Sequence, residues 1–326
     1  MKKITLLALD NTAATTVTGP MDVFCLAGLF WNYIRGEKPA PYFQVEIVTI
    51  NGNPVTCLNG LMLRPHRSID DVDQTDLILV SAIVGNIARA LDMHKAAVPW
   101  IKHHFQSGTH LASVCTGAFF LAETGLLDGK SATTHWAYVQ EFKRRYPRVH
   151  LKPERVITDE GTIFCSGAAH SCLDLSFYLI EKYCGHTVAV ECSKSLLHDM
   201  GRTTQLPYTV FDFQRDHHDE GILQAQNWIE HNYSHTVSID TIAQETGMSR
   251  RTFERRFKSA TGDTPLLYLQ RVRTERAREF LETTDKTFDE IAYTVGYEDS
   301  QFFRKIFEKQ TGLLPREYRK KFRRSV

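Results

Sequence analysis

Short apolar runs alternate with helical segments over the first 185 residues of the chain. Near-continuous apolar runs are typical of parallel strands that are buried on both faces of a sheet. Runs of this kind predict strands at Ile4–Leu9, Tyr42–Ile50, Asp76–Ser81 and His110–Val114. Helical periodicity predicts helices at Met21–Ile34 and Lys95–Gln106, and turn residues predict antiparallel hairpins at Pro54–Arg64 and Arg155–Cys165. The alternation predicts a doubly wound α/β domain, in which ligands bind at the carboxyl ends of the strands.

The pattern changes in the second half of the chain. The stretch from Ala168 to His198 is helical, whereas residues 201–221 combine glycine, proline and a charged run with little periodicity. That composition predicts a linker. After Gly221 every segment has helical periodicity and no strand pattern remains. We therefore expect an α/β domain at 1–200, a linker at 201–221 and an all-α domain at 222–326.

The all-α part contains an internal repeat. Its two copies read IAQETGMSRRTFERRFKSATGDTP (Ile242–Pro265) and IAYTVGYEDSQFFRKIFEKQTGLLP (Ile291–Pro315). The copies share an alanine, two glycines, two phenylalanines and a proline. In the first copy these are Ala243, Gly247, Phe253, Phe257, Gly262 and Pro265, and in the second they are Ala292, Gly296, Phe303, Phe307, Gly312 and Pro315.

Each copy predicts two helices joined by a tight turn. The alanine lets two helices approach closely, and the first glycine turns the chain between them. Ser249 and Asp299 are good N-caps for the second helix, which phenylalanines four residues apart bury on one face. The opposite face exposes residue types that pair with base edges and phosphates: Arg250, Arg251, Glu254, Arg255, Ser300, Gln301, Arg304 and Lys305.

The arginine-rich helix Leu266–Leu281 is expected to join the two copies as a rod. Two such helices held about one DNA turn apart, roughly 34 Å, fit successive major grooves on one face of the duplex. A helical bundle with basic, solvated faces is the alternative. Two copies with matched caps, aromatic residues and ends argue against it.

The two parts of the chain differ in net charge. The net charge of the chain is only +1. Residues 222–326 contain 19 Lys and Arg against 15 Asp and Glu, whereas residues 1–221 contain 20 against 23. A basic C-terminal third on a mildly acidic body indicates a polyanionic partner for that third.

Composition excludes several other classes of protein. A hydrophobic content of 42% and a charged content of 24% are typical of a globular protein. No apolar run approaches the roughly 18 residues of a membrane helix, so no membrane partner is expected. Seven cysteines, an odd number without a CxxC pair, argue against a disulfide framework and a zinc site. We expect no cofactor and no metal, and a cytoplasmic location.

Cys115 is the candidate for chemistry in the first half. It follows the apolar run His110–Val114 and precedes a small-residue turn that opens an apolar helix. Nucleophiles are often displayed at such strand-to-helix turns, and a helix N-terminus can lower the pKa of a thiol. Three interpretations stay open: a small hydrophobic residue lining a pocket, a ligand-contacting or redox-sensing thiol, and a catalytic nucleophile.

Residues 222–322 resemble the C-terminal DNA-binding domain of AraC/XylS-type transcription regulators. The stretch DEIAYTVGYEDSQFFRKIFEKQTGLLPREYRKKF (Asp289–Phe322) is similar to the signature of that family throughout. The resemblance implies a double helix-turn-helix fold and double-stranded DNA as a partner. It places the eight exposed residues named above in the two recognition helices.

Residues 1–200 resemble the class I glutamine amidotransferase-like superfamily, in its DJ-1/PfpI-like protease and isonitrile-hydratase branches. Three motifs carry this resemblance: Cys115-Thr116-Gly117, Thr133-Thr134-His135 and Gly19-Pro20-Met21-Asp22. The resemblance implies a flavodoxin-like doubly wound sheet. Joined to an AraC-type tail, it matches the regulators called the GlxA family.

The same resemblance implies Cys115, His135 and Asp22 as vestigial catalytic candidates. True amidotransferases place a glutamate two residues after the histidine, and here that position is Ala137. Related enzymes often carry a Gly-Gly pair for oxyanion contacts, where this chain has the stretch 82–85, Ala-Ile-Val-Gly. Two structural interpretations are also open: Asp22 caps the Met21–Ile34 helix, and His135 is a hydrogen-bonded structural residue.

We therefore expect a transcription regulator and not an enzyme. The resemblance implies that a small metabolite binds at Asp22, Cys115, Thr116, His135 and Gly85. A second copy of the chain is an expected partner, because two-fold pairing matches repeated half-sites, and RNA polymerase is a further candidate. The alternatives are a cysteine-dependent hydratase or amidase with an accessory DNA-binding tail, and a non-specific nucleoid protein.

Overall fold

The computed structural model describes residues 1–323, which divide into two compact units: unit 1 ends at Gln205 and unit 2 begins at Leu206. Unit 1 contains a seven-stranded sheet and two small strand pairs. Its strands are β1 Lys2–Leu7, β2 Phe43–Thr49, β3 Val55–Thr56, β4 Met62–Leu63, β5 Arg67–Ser68, β6 Leu77–Val80, β7 His110–Val114, β8 Ser131–Ala132, β9 His150–Leu151, β10 Ile157–Asp159 and β11 Ile163–Ser166.

The large sheet has the order β10-β11-β7-β6-β1-β2-β5 and is parallel except for β10. The four predicted strands are confirmed as β1, β2, β6 and β7. Both predicted hairpins are antiparallel, as β3–β4 and β10–β11. The second of them is also part of the large sheet, because β11 pairs in parallel with β7.

Helices cover both faces of the sheet, as its doubly wound pattern requires. The helices of unit 1 are α1 Thr15–Leu26, α2 Phe30–Ile34, α3 Ile87–Met93, α4 Ala97–Gln106, α5 Gly117–Glu123, α6 Val139–Arg145, α7 Ser171–Cys184 and α8 His186–Ser195. One core packs α1, α7 and α8 against the sheet, and the other packs α3 to α6. The predicted flavodoxin-like α/β fold is confirmed.

The helix predicted at Met21–Ile34 is wrong as a single element. The chain forms α1 and then a separate short α2, with a turn between them at Gly28. Gly28 has a φ of +75°, and a Cβ there would lie 2.1 Å from the carbonyl oxygen of Ala40. Only glycine fits this position, and its turn ends the helical hydrogen bonding.

Within residues 206–323, unit 2 consists of seven α-helices and a short 3-10 turn at Leu206–Tyr208. Its helices are α9 Glu220–Asn232, α10 Ile239–Glu245, α11 Arg250–Thr261, α12 Pro265–Thr283, α13 Phe288–Thr294, α14 Ser300–Thr311 and α15 Pro315–Phe322. The 19 residues of α12 make a rod about 28 Å long at 1.5 Å per residue. One core gathers around its N-terminal half and another around its C-terminal half.

Residues 201–221 are divided between the two units. Gln205 is buried in unit 1, where its amide donates to the carbonyl oxygens of Thr134 and Pro153. In unit 2 the buried Arg278 donates to the carbonyl oxygens of Leu206 and Thr209. The boundary between the units therefore falls between Gln205 and Leu206. No helix among residues 1–323 is long and apolar enough to cross a membrane.

Candidate functional site

Cys115 lies in the turn between β7 and α5, where the sequence pattern predicts it. Its φ of +56° is in the left-handed region, which is uncommon for a residue other than glycine. Two hydrogen bonds hold the turn: the Cys115 N–H donates to the Ser166 carbonyl over 2.8 Å, and the Thr134 hydroxyl donates to the Cys115 carbonyl over 2.8 Å. A Cβ at Gly117 would lie 2.5 Å from the Val80 carbonyl oxygen, so the turn also requires this glycine. Such strain persists only where the surrounding structure over-determines it.

The Cys115 side chain is 7% exposed. Burial raises the pKa of the Cys115 thiol to about 11, although hydrogen bonds from Thr116 and from the His135 backbone act in the opposite direction. The expectation that a helix N-terminus lowers this pKa is therefore wrong. Desolvation outweighs these hydrogen bonds, because the sulfur is away from solvent. The thiol is protonated at neutral pH and is a poor nucleophile in that form.

The backbone of His135 hydrogen-bonds to the Cys115 thiol, whereas its ring makes contacts away from the thiol. The ring nitrogen Nδ1 accepts the Ala137 N–H over 3.2 Å, and the ring lies 5.1 Å from that of Trp136. Burial lowers the pKa of His135, which keeps the ring neutral. His135 thus caps the turn at Trp136–Tyr138, which is the structural interpretation of this residue.

Asp22 is exposed on the eighth residue of α1. It does not cap a helix, because α1 begins seven residues earlier, at Thr15. Within residues 1–323 no hydrogen bond joins Asp22 to Cys115 or His135. The geometry brings Cys115, Thr116 and His135 together, and within the described residues no hydrogen bond links Asp22 to this group.

Hydrogen bonds to two neighbouring segments fix the loop after β6. Thr116 accepts the Ile83 N–H over 2.8 Å and donates to the Ile83 carbonyl over 2.6 Å. The Ala82 N–H donates to the Thr16 hydroxyl, and the Val84 N–H donates to the Asn11 carbonyl. The N–H groups of residues 82, 83 and 84 are therefore all used within the fold, and none of them is left to bind an oxyanion.

These bonds also close the place where this topology usually binds ligands. In a flavodoxin-like strand order that place is the crevice between β1 and its neighbour β6. Here the loop after β1 bonds to the loop after β6, since the Thr12 hydroxyl and the Ala13 N–H both donate to the Ala82 carbonyl. Gly85, with a φ of +113°, follows this closed segment and is exposed.

A cavity of about 220 Å³ lies at the carboxyl ends of β1 and β2. Its polar lining comes from Asp10, Thr49, Asn51 and His94. His94 is 6% exposed, and burial lowers its pKa although the Asp10 carboxylate opposes that shift. Sequence reasoning missed this cavity. The one available signal was the position of Asp10 directly after the first apolar run.

In unit 2 the first repeat folds as α10, a turn and α11. Ala243 is buried at the helix contact, and Gly247 turns the chain with a φ of +65°. Ser249 caps α11 by accepting the Thr252 N–H, while Phe253 and Phe257 are fully buried. Every structural role predicted for this copy is confirmed.

The second repeat folds in the same way as α13, a turn and α14. Gly296 turns the chain with a φ of +91°, and Asp299 caps α14 by accepting the N–H groups of residues 301 and 302. Ala292, Phe303 and Phe307 are buried, as predicted. Because α11 and α14 share caps and buried residues, they present equivalent faces to solvent.

The eight predicted DNA-contacting residues differ in how far they are engaged within the protein. Arg250 bonds to Asp240 over 3.0 Å and to Glu254 over 3.1 Å. Arg304 is half-buried over the ring of Phe288. Among the described residues, no side-chain hydrogen bond or ion pair is recorded for four exposed members of the set: Arg251, Arg255, Gln301 and Lys305. The eighth member, Ser300, is half-buried at the start of α14.

Sequence reasoning missed two exposed aromatic residues on the second repeat. Phe302 on α14 is 52% exposed, and Tyr293 on α13 is 75% exposed. The Phe302-Phe303 pair was a readable signal, because adjacent helical residues cannot both face one core. Phe303 occupies the core, so Phe302 points away from it.

Family comparisons agree with both parts of this description. A sequence model of the DJ-1/PfpI family matches residues 2–182, and a model of a helix-turn-helix domain matches residues 242–321. The crystal structure of an AraC family transcriptional regulator from Pseudomonas putida superposes with a TM-score of 0.51 at 20% identity. It covers 60% of this chain and 100% of that one, which shows the fold of the first unit.

Two curated regulators and one enzyme are among the relatives of this chain. The HTH-type transcriptional regulator GbdR of Pseudomonas aeruginosa is 25% identical over 325 residues, which is 98% of this chain and 84% of that protein. The HTH-type transcriptional regulator GlxA of Rhizobium meliloti is 26% identical and covers 64% of this chain and 66% of its own length. The isonitrile hydratase of Pseudomonas putida is 30% identical over 61% of this chain and 82% of the enzyme.

Proposed function

Since the chain belongs to the DJ-1/PfpI family and ends in a helix-turn-helix domain, we propose that it is a sequence-specific transcription regulator of double-stranded DNA. The repeated helix-turn-helix pair carries this proposal. Both α11 and α14 are N-capped, buried through phenylalanines on one face and exposed on the other. Helices presented in this way enter the major groove. The rod α12, about 28 Å long, joins the two repeats, and we propose that they read major grooves one DNA turn apart.

Chemistry at Cys115 is not needed for this function. Its thiol has a pKa of about 11, and the three N–H groups nearest an oxyanion site are already bonded within the fold. Asp22, the carboxylate of the catalytic alternative, is exposed on α1, and no hydrogen bond joins it to the turn within residues 1–323. The likeness to an isonitrile hydratase keeps a hydratase or amidase as the second candidate function.

We place the metabolite site at the carboxyl edge of the sheet in unit 1. The turn around Cys115, Thr116 and His135 forms one part of that edge, and Gly85 lies on the adjoining loop. The cavity at Asp10 and His94 is on the same edge. A ligand there changes DNA affinity only if it binds with different free energies to the DNA-competent and DNA-incompetent states.

The remaining partners follow from how promoters are read. Two-fold pairing of the chain would match repeated operator half-sites, so we propose a homodimer. RNA polymerase is the proposed partner at the promoter, and the cytoplasm is the proposed location.

Equilibrium binding of the full chain to the DNA upstream of its own gene tests the proposal. The comparison is scrambled DNA of equal length across a salt series, because non-specific binding is set mainly by salt. A regulator prefers the upstream DNA about a thousandfold or more. Cys115→Ser should keep that preference, whereas the double variant Arg251→Ala, Gln301→Ala should lose it. Equal affinity for both DNAs would refute the proposal, and turnover of isonitriles lost in Cys115→Ser would favour the enzyme.

A further inference from the structure

The two recognition helices expose different chemistry at equivalent positions. Because Phe253 and Phe303 occupy the same place in the two repeats, Arg251 corresponds to Gln301 and Thr252 to Phe302. These positions lie in the first turn of α11 and α14, which is the part of a recognition helix that reaches base edges. A difference there is therefore a difference in what the two helices read.

The first helix offers one uncommitted guanidinium in its first turn. Arg250 is engaged by two carboxylates, Asp240 and Glu254, which hold it against its own repeat. Arg251 is exposed, and among residues 1–323 no bond of its side chain is recorded. An arginine in this position pairs through two hydrogen bonds with the O6 and N7 atoms of guanine.

The second helix offers an amide and an aromatic ring instead. The Gln301 side chain is exposed and unbonded within the described residues, and a glutamine amide pairs with the N6 and N7 atoms of adenine. The neighbouring Phe302 ring is 52% exposed, with its centroid 6.3 Å from that of Tyr297. An apolar ring at this position gains by contact with the methyl group of thymine.

The two helices also differ in net charge, since α11 is more positive than α14. Helix α11 contains five arginines and lysines and one glutamate, whereas α14 contains three arginines and lysines and one glutamate. Arg304, one of those three, is held over Phe288 and pairs with Asp289 over 3.5 Å. Basic contacts thus dominate the first helix, and neutral contacts have a larger share in the second.

We infer that the two repeats read unlike half-sites: α11 reads a guanine through Arg251, and α14 reads an A·T step through Gln301 and Phe302. This inference rests on the proposed DNA-binding function and specifies its target. The operator is then a direct pair of half-sites about one helical turn apart, one containing G·C and the other A·T.

Selection of bound sequences from random duplex DNA by the full chain tests this inference. The enriched site should contain an invariant guanine in one half and an A·T pair in the other. Arg251→Ala should relax only the guanine, and Gln301→Ala and Phe302→Ala only the A·T step. Tyr293→Ala is the matched control, an exposed aromatic residue outside the recognition helix, and should change neither. Thermal unfolding checks that each variant is folded.

Atom-level substitution in the selected DNA makes the test sharper. Replacing the guanine by 7-deazaguanine removes N7, one of the two acceptors of the bidentate pair, and should cost the wild type roughly 2- to 12-fold in affinity. The same replacement should cost Arg251→Ala almost nothing. Replacing the thymine by deoxyuridine removes one methyl group and should cost the wild type about fourfold, but Phe302→Ala almost nothing.

Four results would overturn the inference. Two like half-sites would do so, as would equal sensitivity of wild type and variant to the base analogues. Enrichment of no sequence at all would refute the proposed function itself, and the inference with it. Enrichment of a site whose base preferences are the same in the wild type and in the Arg251, Gln301 and Phe302 variants would refute the inference alone.

Discussion

Replacing Gly296 by alanine is expected to destabilise the second helix-turn-helix far more than the matched change Gly247→Ala destabilises the first. Both glycines make the same turn, with φ values of +91° and +65°. A left-handed conformation costs an alanine about 1–2 kcal/mol at either position. At Gly247 an added Cβ meets nothing within 4 Å.

At Gly296 the added Cβ would lie 2.9 Å from the carbonyl oxygens of Tyr233 and Ser234 and 2.9 Å from the guanidinium of Arg273. Arg273 cannot easily withdraw, because it donates to the carbonyls of Tyr233 and His235 and stacks on Tyr297. Overpacking of this kind costs roughly 1–3 kcal/mol more. Gly296→Ala should therefore lose about 2–5 kcal/mol and Gly247→Ala about 1–2 kcal/mol.

Hydrogen–deuterium exchange of the full chain measures this difference locally, because amide protection reports the free energy of local opening. We expect Gly296→Ala to lose most protection in α13 and α14, and Gly247→Ala to lose less, in α10 and α11. Equal losses in the two variants would refute the reasoning. They would mean that the contact between Gly296 and the chain at residues 233 and 234 contributes nothing.

Two further changes test unit 1. Thr116→Val removes both buried hydrogen bonds to the Ile83 backbone and should lower the free energy of unfolding, measured in urea, by roughly 1–3 kcal/mol. Thr116→Ser keeps the hydroxyl and should retain most of that stability. Equal stability of the two variants would contradict this reasoning. Alkylation of Cys115 by iodoacetamide should accelerate about tenfold per pH unit up to about pH 11, and a plateau near pH 8.5 would show an ordinary thiol. Because the folded pKa is raised, the unfolded chain loses this proton first, so the contribution of Cys115 to stability is present below about pH 8.5 and is lost as the pH rises through 11.

The repeat could be read from the sequence because its signals are local. A cap, a turn glycine and two phenylalanines four residues apart each constrain only their own helix, and all of them act as predicted. The buried strands were readable for the same reason. The break at Gly28 was not, because it depends on the close approach of the Ala40 carbonyl, which lies outside the local pattern of the helix.

The candidate site was harder to predict because it depends on burial and on distant partners. The pKa of Cys115 is set by how completely the fold covers the sulfur, which no local motif encodes. Arg250 and Arg304 look like free cations in the sequence, yet carboxylates on neighbouring helices engage them. Asp22 stands in a family motif but is exposed on the middle of α1.

Hydroxyl-radical footprinting of the full chain on the DNA upstream of its own gene tests the central claim most directly. If two capped helices at the ends of α12 read successive major grooves, each bound chain should protect two patches on one face of the duplex, about 10 base pairs apart. Within each pair, Arg251→Ala should weaken one patch and Gln301→Ala the other. Protection spread evenly along any DNA, with no response to these changes, would contradict the account.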